Sequence, residues 1–184
     1  MAFSITDIKA NLKFGGARPT LFRVELNNPF DTSLTEASAY MVQAANMPGS
    51  SITPIEVPYF GRRIRVAGDR TFEPWTVTVM NDEDFKIRHS LESWHHRINK
   101  LQGNINDTGS AEPSRYKAEA SVYQYSKIGG TPIRTYRFVG MFPTEISPID
   151  VSWGDTDNIE TFQVTFVYDY YEVVGPSNTG TVQG

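Results

Sequence analysis

The dominant period along this chain is two. Thr20–Leu26 alternates so that Phe22, Val24 and Leu26 share one face, the mark of a half-buried strand. Trp75–Met80 repeats the pattern, with Trp75, Val77 and Val79 pointing one way and threonines between them. Arg115–Tyr125 alternates less cleanly but sets Ala118, Ala120, Val122 and Gln124 together, and a further strand is predicted near Ile133–Val139. The strongest alternation runs from Ile159 to Tyr170. Phe162, Val164, Phe166, Tyr168 and Tyr170 line one side, opposite Thr161, Gln163, Thr165, Val167 and Asp169. That stretch is about twice the usual strand length of about five or six residues.

One segment follows a helical period instead. Ile87, Leu91, Trp94, Ile98 and Leu101 recur at steps of four and three, predicting a helix over 82–102 with a single apolar stripe. Asn81 is its expected cap, Asp82, Glu83 and Asp84 favour the positive end, and Gly103 is the expected stop. A helix with one stripe should lie on an open sheet face. Trp75 and Trp94 are expected to meet in the core between them. The predicted class is mainly β: an antiparallel β-sandwich or barrel with one flanking α-helix.

Three segments lack either period. Residues 1–19, with Gly15, Gly16 and Pro19, read as an extended N-terminal arm. Residues 47–74 read as a long extended inter-strand loop punctuated by Pro48, Gly49, Pro54, Pro58, Gly61, Gly68 and Pro74. That loop is also rich in Ile52, Ile55, Val57, Tyr59, Phe60, Ile64 and Val66. Exposed apolar chain is costly, so it is expected to pack on its own domain or on a neighbour. Residues 173–184 read as a flexible tail, leaving 20–172 as a single β-sandwich domain. No internal repeat is present.

Composition removes several function classes. The 184 residues include no cysteine and carry a formal charge of −4, so disulfides and thiolate metal sites are excluded. A pI near 5.4 argues against a protein that grips phosphates on a basic face. No apolar run reaches the roughly 20 residues needed to span a bilayer, and the N-terminus does not read as a secretory signal. Stable membrane insertion is therefore not expected.

Candidate chemistry is sparse. Glu92 and His95 have the Glu-x-x-His step of di-iron bundles, but such sites need carboxylates from several helices. They read, with His89 and His96, as ordinary helix-surface residues. Asp155, Asp157 and Glu160 lack the spacing and central glycine of a calcium loop. No nucleophile elbow, phosphate loop or zinc-protease motif occurs. A non-enzymatic protein without cofactor or metal is expected.

The stretch Val66-Ala67-Gly68-Asp69-Arg70-Thr71-Phe72, followed by Trp75-Thr76-Val77-Thr78-Val79-Met80-Asn81-Asp82-Glu83, closely resembles the tail tube proteins of contractile-tailed bacteriophages. Ala17-Arg18-Pro19-Thr20-Leu21-Phe22-Arg23-Val24 resembles that family's lead into its first strand. Gly140-Met141-Phe142-Pro143-Thr144 and Ile159-Glu160-Thr161-Phe162-Gln163-Val164-Thr165 resemble its last hairpin and closing strand. The likeness runs in order from about residue 17 to 172, and is poor over 27–45 and after Glu172.

The resemblance implies a virion tail subunit made in the bacterial cytoplasm. Such chains form hexameric rings that stack head to tail, with their sheets joined in a shared β-barrel. It also implies as partners a tail sheath protein, baseplate and tail-terminator proteins, and DNA that passes through the lumen without specific binding. On this reading the 47–74 segment contacts an adjacent subunit or the next ring through Ile55, Val57, Tyr59, Phe60, Arg62, Arg63, Arg65, Asp69, Arg70 and Glu73, whose charges would pair across subunits. The lumen is expected to be acidic or neutral. Two alternatives stay open: the inner tube of a type VI secretion system or a phage-derived particle, and a monomeric ligand-binding β-barrel.

Overall fold

The computed structural model describes residues 5–12, 16–107 and 112–175. Its strands are β1 (Phe22–Leu26), β2 (Val42–Ala45), β3 (Ser50–Tyr59), β4 (Arg62–Phe72), β5 (Trp75–Met80), β6 (Ala118–Tyr125), β7 (Pro132–Ile146), β8 (Thr161–Val167) and β9 (Tyr170–Val174). Its helices are α1 (Ile5–Asn11), α2 (Ser33–Met41), α3 (Lys86–Ile98) and the short α4 (Pro113–Tyr116). Seven strands form one antiparallel sheet in the order β1-β6-β7-β8-β5-β2, with β9 also on β7; β3 and β4 form a sheet of their own. The sheet is open within one chain, with β1 and β2 at its ends.

β5 behaves as its alternation predicts: Trp75, Val77 and Val79 are buried while Thr76, Thr78 and Met80 are half-buried. The long alternating run does not stay one strand. It breaks into β8 and β9 at Tyr168 and Asp169, and both pieces pair with β7. The first half of β7 pairs β6 and β9, the second half β8. The bend between them is pinned at Gly140, whose φ of +69° suits glycine. A Cβ there would run into the Asp169 carboxylate, which is held at 2.7 Å by Lys117 Nζ. Tyr170, expected inside with Phe166 and Tyr168, is therefore exposed. The bend folds the two halves of the sheet over one core, where Trp75 stacks on Phe138 at 4.4 Å. Trp75 and Trp94 both belong to that core. The ring neighbours of Trp75 are nevertheless Phe138 and Phe166.

The helices depart further from expectation. α3 starts at Lys86, not 82, because residues 82–85 form a turn in which the Phe85 amide donates to the Asp82 carbonyl at 2.9 Å. Phe85, in the left-handed region with φ 52°, stands where Asn81 was expected to cap. Asn81 instead bonds Glu160 through both backbone and side chain. The helix ends at Ile98, with Asn99 extended, so Leu101 is exposed and Gly103 lies in the turn beyond. Ile87, Leu91 and Trp94 form the buried stripe.

A single flanking helix was expected; α2 is a second, joined to the sheet by the Leu26 amide donating to Ser38 Oγ at 3.0 Å. Residues 5–11 of the expected extended arm are helical. Of the expected flexible tail, Val173 and Val174 lie in β9, and 176–184 are outside the described residues.

Candidate assembly interface

Residues 47–74 are not an irregular loop. Most of them form an antiparallel hairpin, β3 against β4, joined by Phe60 and Gly61. Both joining residues have positive φ, 43° and 78°, which matches the twist that two-residue hairpin turns require. Gly68 is the second structural glycine. It sits at a bulge opposite Ile52–Pro54, where any Cβ would overlap the Thr53 carbonyl oxygen.

Directly paired residues project from the same side, so the register sorts the hairpin into two faces. Ile55 pairs with Val66, Val57 with Ile64 and Tyr59 with Arg62, making an apolar face. Glu56 pairs with Arg65, and Pro58 with Arg63, on the other. There Glu56 accepts from Arg63 at 2.8 Å and from Arg65 at 3.3 Å. These exposed pairs are worth about 0–1 kcal/mol, so they tune the hairpin rather than hold it. Ile55, Val57, Tyr59, Ile64 and Val66 are all exposed, and Phe60 at the tip is 91% exposed with its ring edge-on to Tyr59. The expected packing of this segment on its own domain does not occur along these strands.

The root is where the hairpin meets the body. Phe72 packs against Tyr168 and Tyr171 at ring distances of 5.9 and 5.6 Å. The Tyr168 hydroxyl is buried without a hydrogen-bond partner. Burial, then Tyr171 and Glu73, push its phenol up to about 12.

Every predicted contact residue lies on this element or at its root. Ile55, Val57 and Tyr59 are on β3, Phe60 is in the turn, Arg62, Arg63, Arg65, Asp69 and Arg70 are on β4, and Glu73 follows it. The hairpin does not pair all their charges. Among the described residues Arg63 and Arg65 have an ion partner within the chain, and Arg62 and Arg70 have none. Glu56 was missed because its place opposite Arg65 emerges only once Phe60-Gly61 is recognised as the turn. Elsewhere Glu92 is paired with Arg88 at 2.9 Å and His95 bonds the Pro143 carbonyl at 3.1 Å. No group of three metal-ligating side chains and no membrane-spanning helix occurs among the described residues.

A protruding, amphipathic hairpin suits assembly, and comparison with known proteins gives it a setting. The chain is 35% identical to the tail tube protein gp19 of Enterobacteria phage T4 over 156 residues, 85% of this chain and 91% of that one. The solved structure of the anti-feeding prophage tube-terminating cap shares the fold at a TM-score of 0.60 and 14% identity, over 87% of this chain and 91% of the other. A chain of an extracellular contractile injection system's sheath-tube complex does so at 0.55 and 14%, over 95% and 100%. A family model described as phage tail tube protein matches residues 8–174, and with that match and the identity to the T4 protein the chain belongs to the phage tail tube protein family.

Proposed function

We propose that this chain is the structural subunit of the inner tube of a contractile phage tail, working through assembly rather than catalysis. Hexameric rings stack into a hollow tube, a sheath surrounds it, and baseplate and terminator proteins close its ends. Sheath contraction drives the tube through the host envelope, and DNA follows down the lumen. The subunit is made in the host cytoplasm and resides in the virion tail.

The observation that carries this reading is the exposed apolar face of the β3–β4 hairpin on a chain of this family. An apolar surface of that kind marks an interaction site. The open sheet supports it too, since joining β1 and β2 ends between copies removes exposed edges. The identity to a phage protein favours a phage tail over a related injection tube, for which the likeness is one of fold. A monomeric ligand-binding barrel is disfavoured by family membership and by a sandwich filled with Trp75, Phe138, Phe162 and Phe166.

Electron microscopy of the purified protein over a concentration series tests the proposal. Rings or hollow tubes are expected. Small monodisperse particles at every concentration, even with tail baseplates as seeds, would overturn it. The variant Arg70→Glu should stay folded and lose polymerisation, because it places a negative charge beside Asp69 and Glu73 on an interface. Normal tubes from that variant would remove Arg70 from the contact.

A further inference from the structure

The hairpin leaves the body at the Trp75 end of the β5–β8 ladder, where Trp75 pairs with Phe166. The opposite end, where Met80 pairs with Thr161, has a contrasting character. Residues 147–160 connect β7 to β8 there and contain Asp150, Asp155, Asp157 and Glu160 without a single lysine or arginine. Asp82, Glu83 and Asp84 follow β5 at the same end, tied to it by the Asn81–Glu160 hydrogen bonds of 2.8 and 3.1 Å. Lys86, bonded to Asp84 at 2.9 Å, and Arg88, bonded to the Ser147 carbonyl, are the cations beside this group. The acidic loop is also apolar: Val151 and Ile159 are exposed and Trp153 is fully so. Tryptophan is among the residue types enriched at the anchoring points of protein interfaces.

The two ends are therefore complementary in both respects. The hairpin tip from Glu56 to Arg65 holds three arginines against one glutamate and an exposed apolar face. We propose that the hairpin of one copy docks on the 147–160 loop of a second copy in the neighbouring ring. Its apolar face meets Val151, Trp153 and Ile159 of that copy, and Arg62, which shares that face through its pairing with Tyr59, meets the carboxylates. This rests on the tube reading above and adds the receptor surface and the polarity. Because the surfaces lie at opposite ends of one ladder, the contact is head to tail and repeats without closing. Reach is sufficient: a ten-residue β3 arm extends about 30 Å, against about 17 Å for β5.

Charge reversal on either side tests the proposal, with circular dichroism melts to show that each variant is folded. Arg62→Glu/Arg63→Glu/Arg65→Glu and Asp155→Lys/Asp157→Lys should each raise the threshold concentration for tube growth about tenfold or more, since like charges then face each other. An equimolar mixture should grow tubes again, because the acidic hairpin of one variant meets the basic loop of the other in alternating layers. Trp153→Ala should weaken stacking without altering charge. The proposal is overturned if Asp155→Lys/Asp157→Lys and Trp153→Ala both assemble at the wild-type threshold, which would assign the hairpin's partner to another surface or protein. It is equally overturned if the mixture stays as inert as its components. Failure of the wild-type chain itself to form rings or tubes would instead remove the tube reading.

Discussion

Trp94 shows how much of this molecule rests on single side chains. It is fully buried at the C-terminal end of the α3 stripe, and its indole nitrogen donates to the Tyr116 carbonyl at 2.8 Å. Trp94→Ala removes both the packing and the donor, and should cost about 3–5 kcal/mol in a urea titration. A loss below about 1 kcal/mol would mean the site collapses around the gap. The next residue, His95, donates from Nε2 to the Pro143 carbonyl at 3.1 Å. Burial holds its pKa below the usual 6.5, opposed by the Pro143 bond and by Glu92. The folded form therefore takes up a proton less readily than the unfolded chain. Its stabilising contribution is complete above pH 6.5 and is lost as pH falls from there through the lowered folded value. His95→Gln should flatten the melting temperature over that window; an unchanged pH profile would place the titration elsewhere. The burial of Trp94 was legible from the i, i+3, i+4 spacing. The partners were not, because Tyr116 and Pro143 reach this helix from distant parts of the chain.

At the scale of elements, alternation proved readable wherever a strand is covered on one face and misleading where it is not. β5 could be read residue by residue because its inward side chains are all apolar. The hairpin was read as a loop because prolines and glycines usually break strands. Each of them sits where its cost vanishes. The pair flanking a two-residue turn exchanges ladder hydrogen bonds, so positions 58, 56 and 54 direct their amides away from β4. Proline is tolerated on that outer edge and blunts it against further pairing. Gly68 occupies the bulge. α2 was missed for the converse reason: its buried residues are Leu34 and Ser38, and the serine, used to bond the Leu26 amide, hides the apolar stripe. Since little of β3–β4 packs on the body, shortening it should be almost free for folding. Replacing residues 56–65 by an Asn-Gly turn, which leaves the hydrogen-bonded pair Ile55 and Val66 to flank it, should change unfolding free energy by less than about 1 kcal/mol and abolish tubes in a sedimentation assay. A large loss of melting temperature would mean the hairpin supports the body as well.

For the whole molecule, the class and the family were legible, but the distribution of charge was not, since a formal −4 fixes no geography. The structure supplies it. The outward side of β5 and β8 carries Thr76, Thr78, Gln163 and Thr165, all uncharged. The outward side of β1, β6, β7 and β9 carries Arg23, Glu25, Glu119, Arg137 and Glu172, with Arg137 held by Glu119 at 2.6 Å and Glu172 at 3.9 Å and Arg23 by Glu25 at 3.1 Å. Neither face offers a stripe of free cations, so a channel wall built from either gives phosphates nothing to exchange for their counterions. Among the described residues Arg18, Arg62, Arg70 and Arg134 lack an ion partner within the chain, and Arg62 and Arg70 are on the hairpin, where docking between copies would consume them. Assembled tubes should therefore retain no short duplex DNA in co-sedimentation at about 0.15 M salt, and lowering the salt should produce little gain. Binding that rises steeply as salt is removed would reveal a basic lumen. In such a tube the duplex would be held in transit, and the wall would have to be formed by residues on neither of these faces.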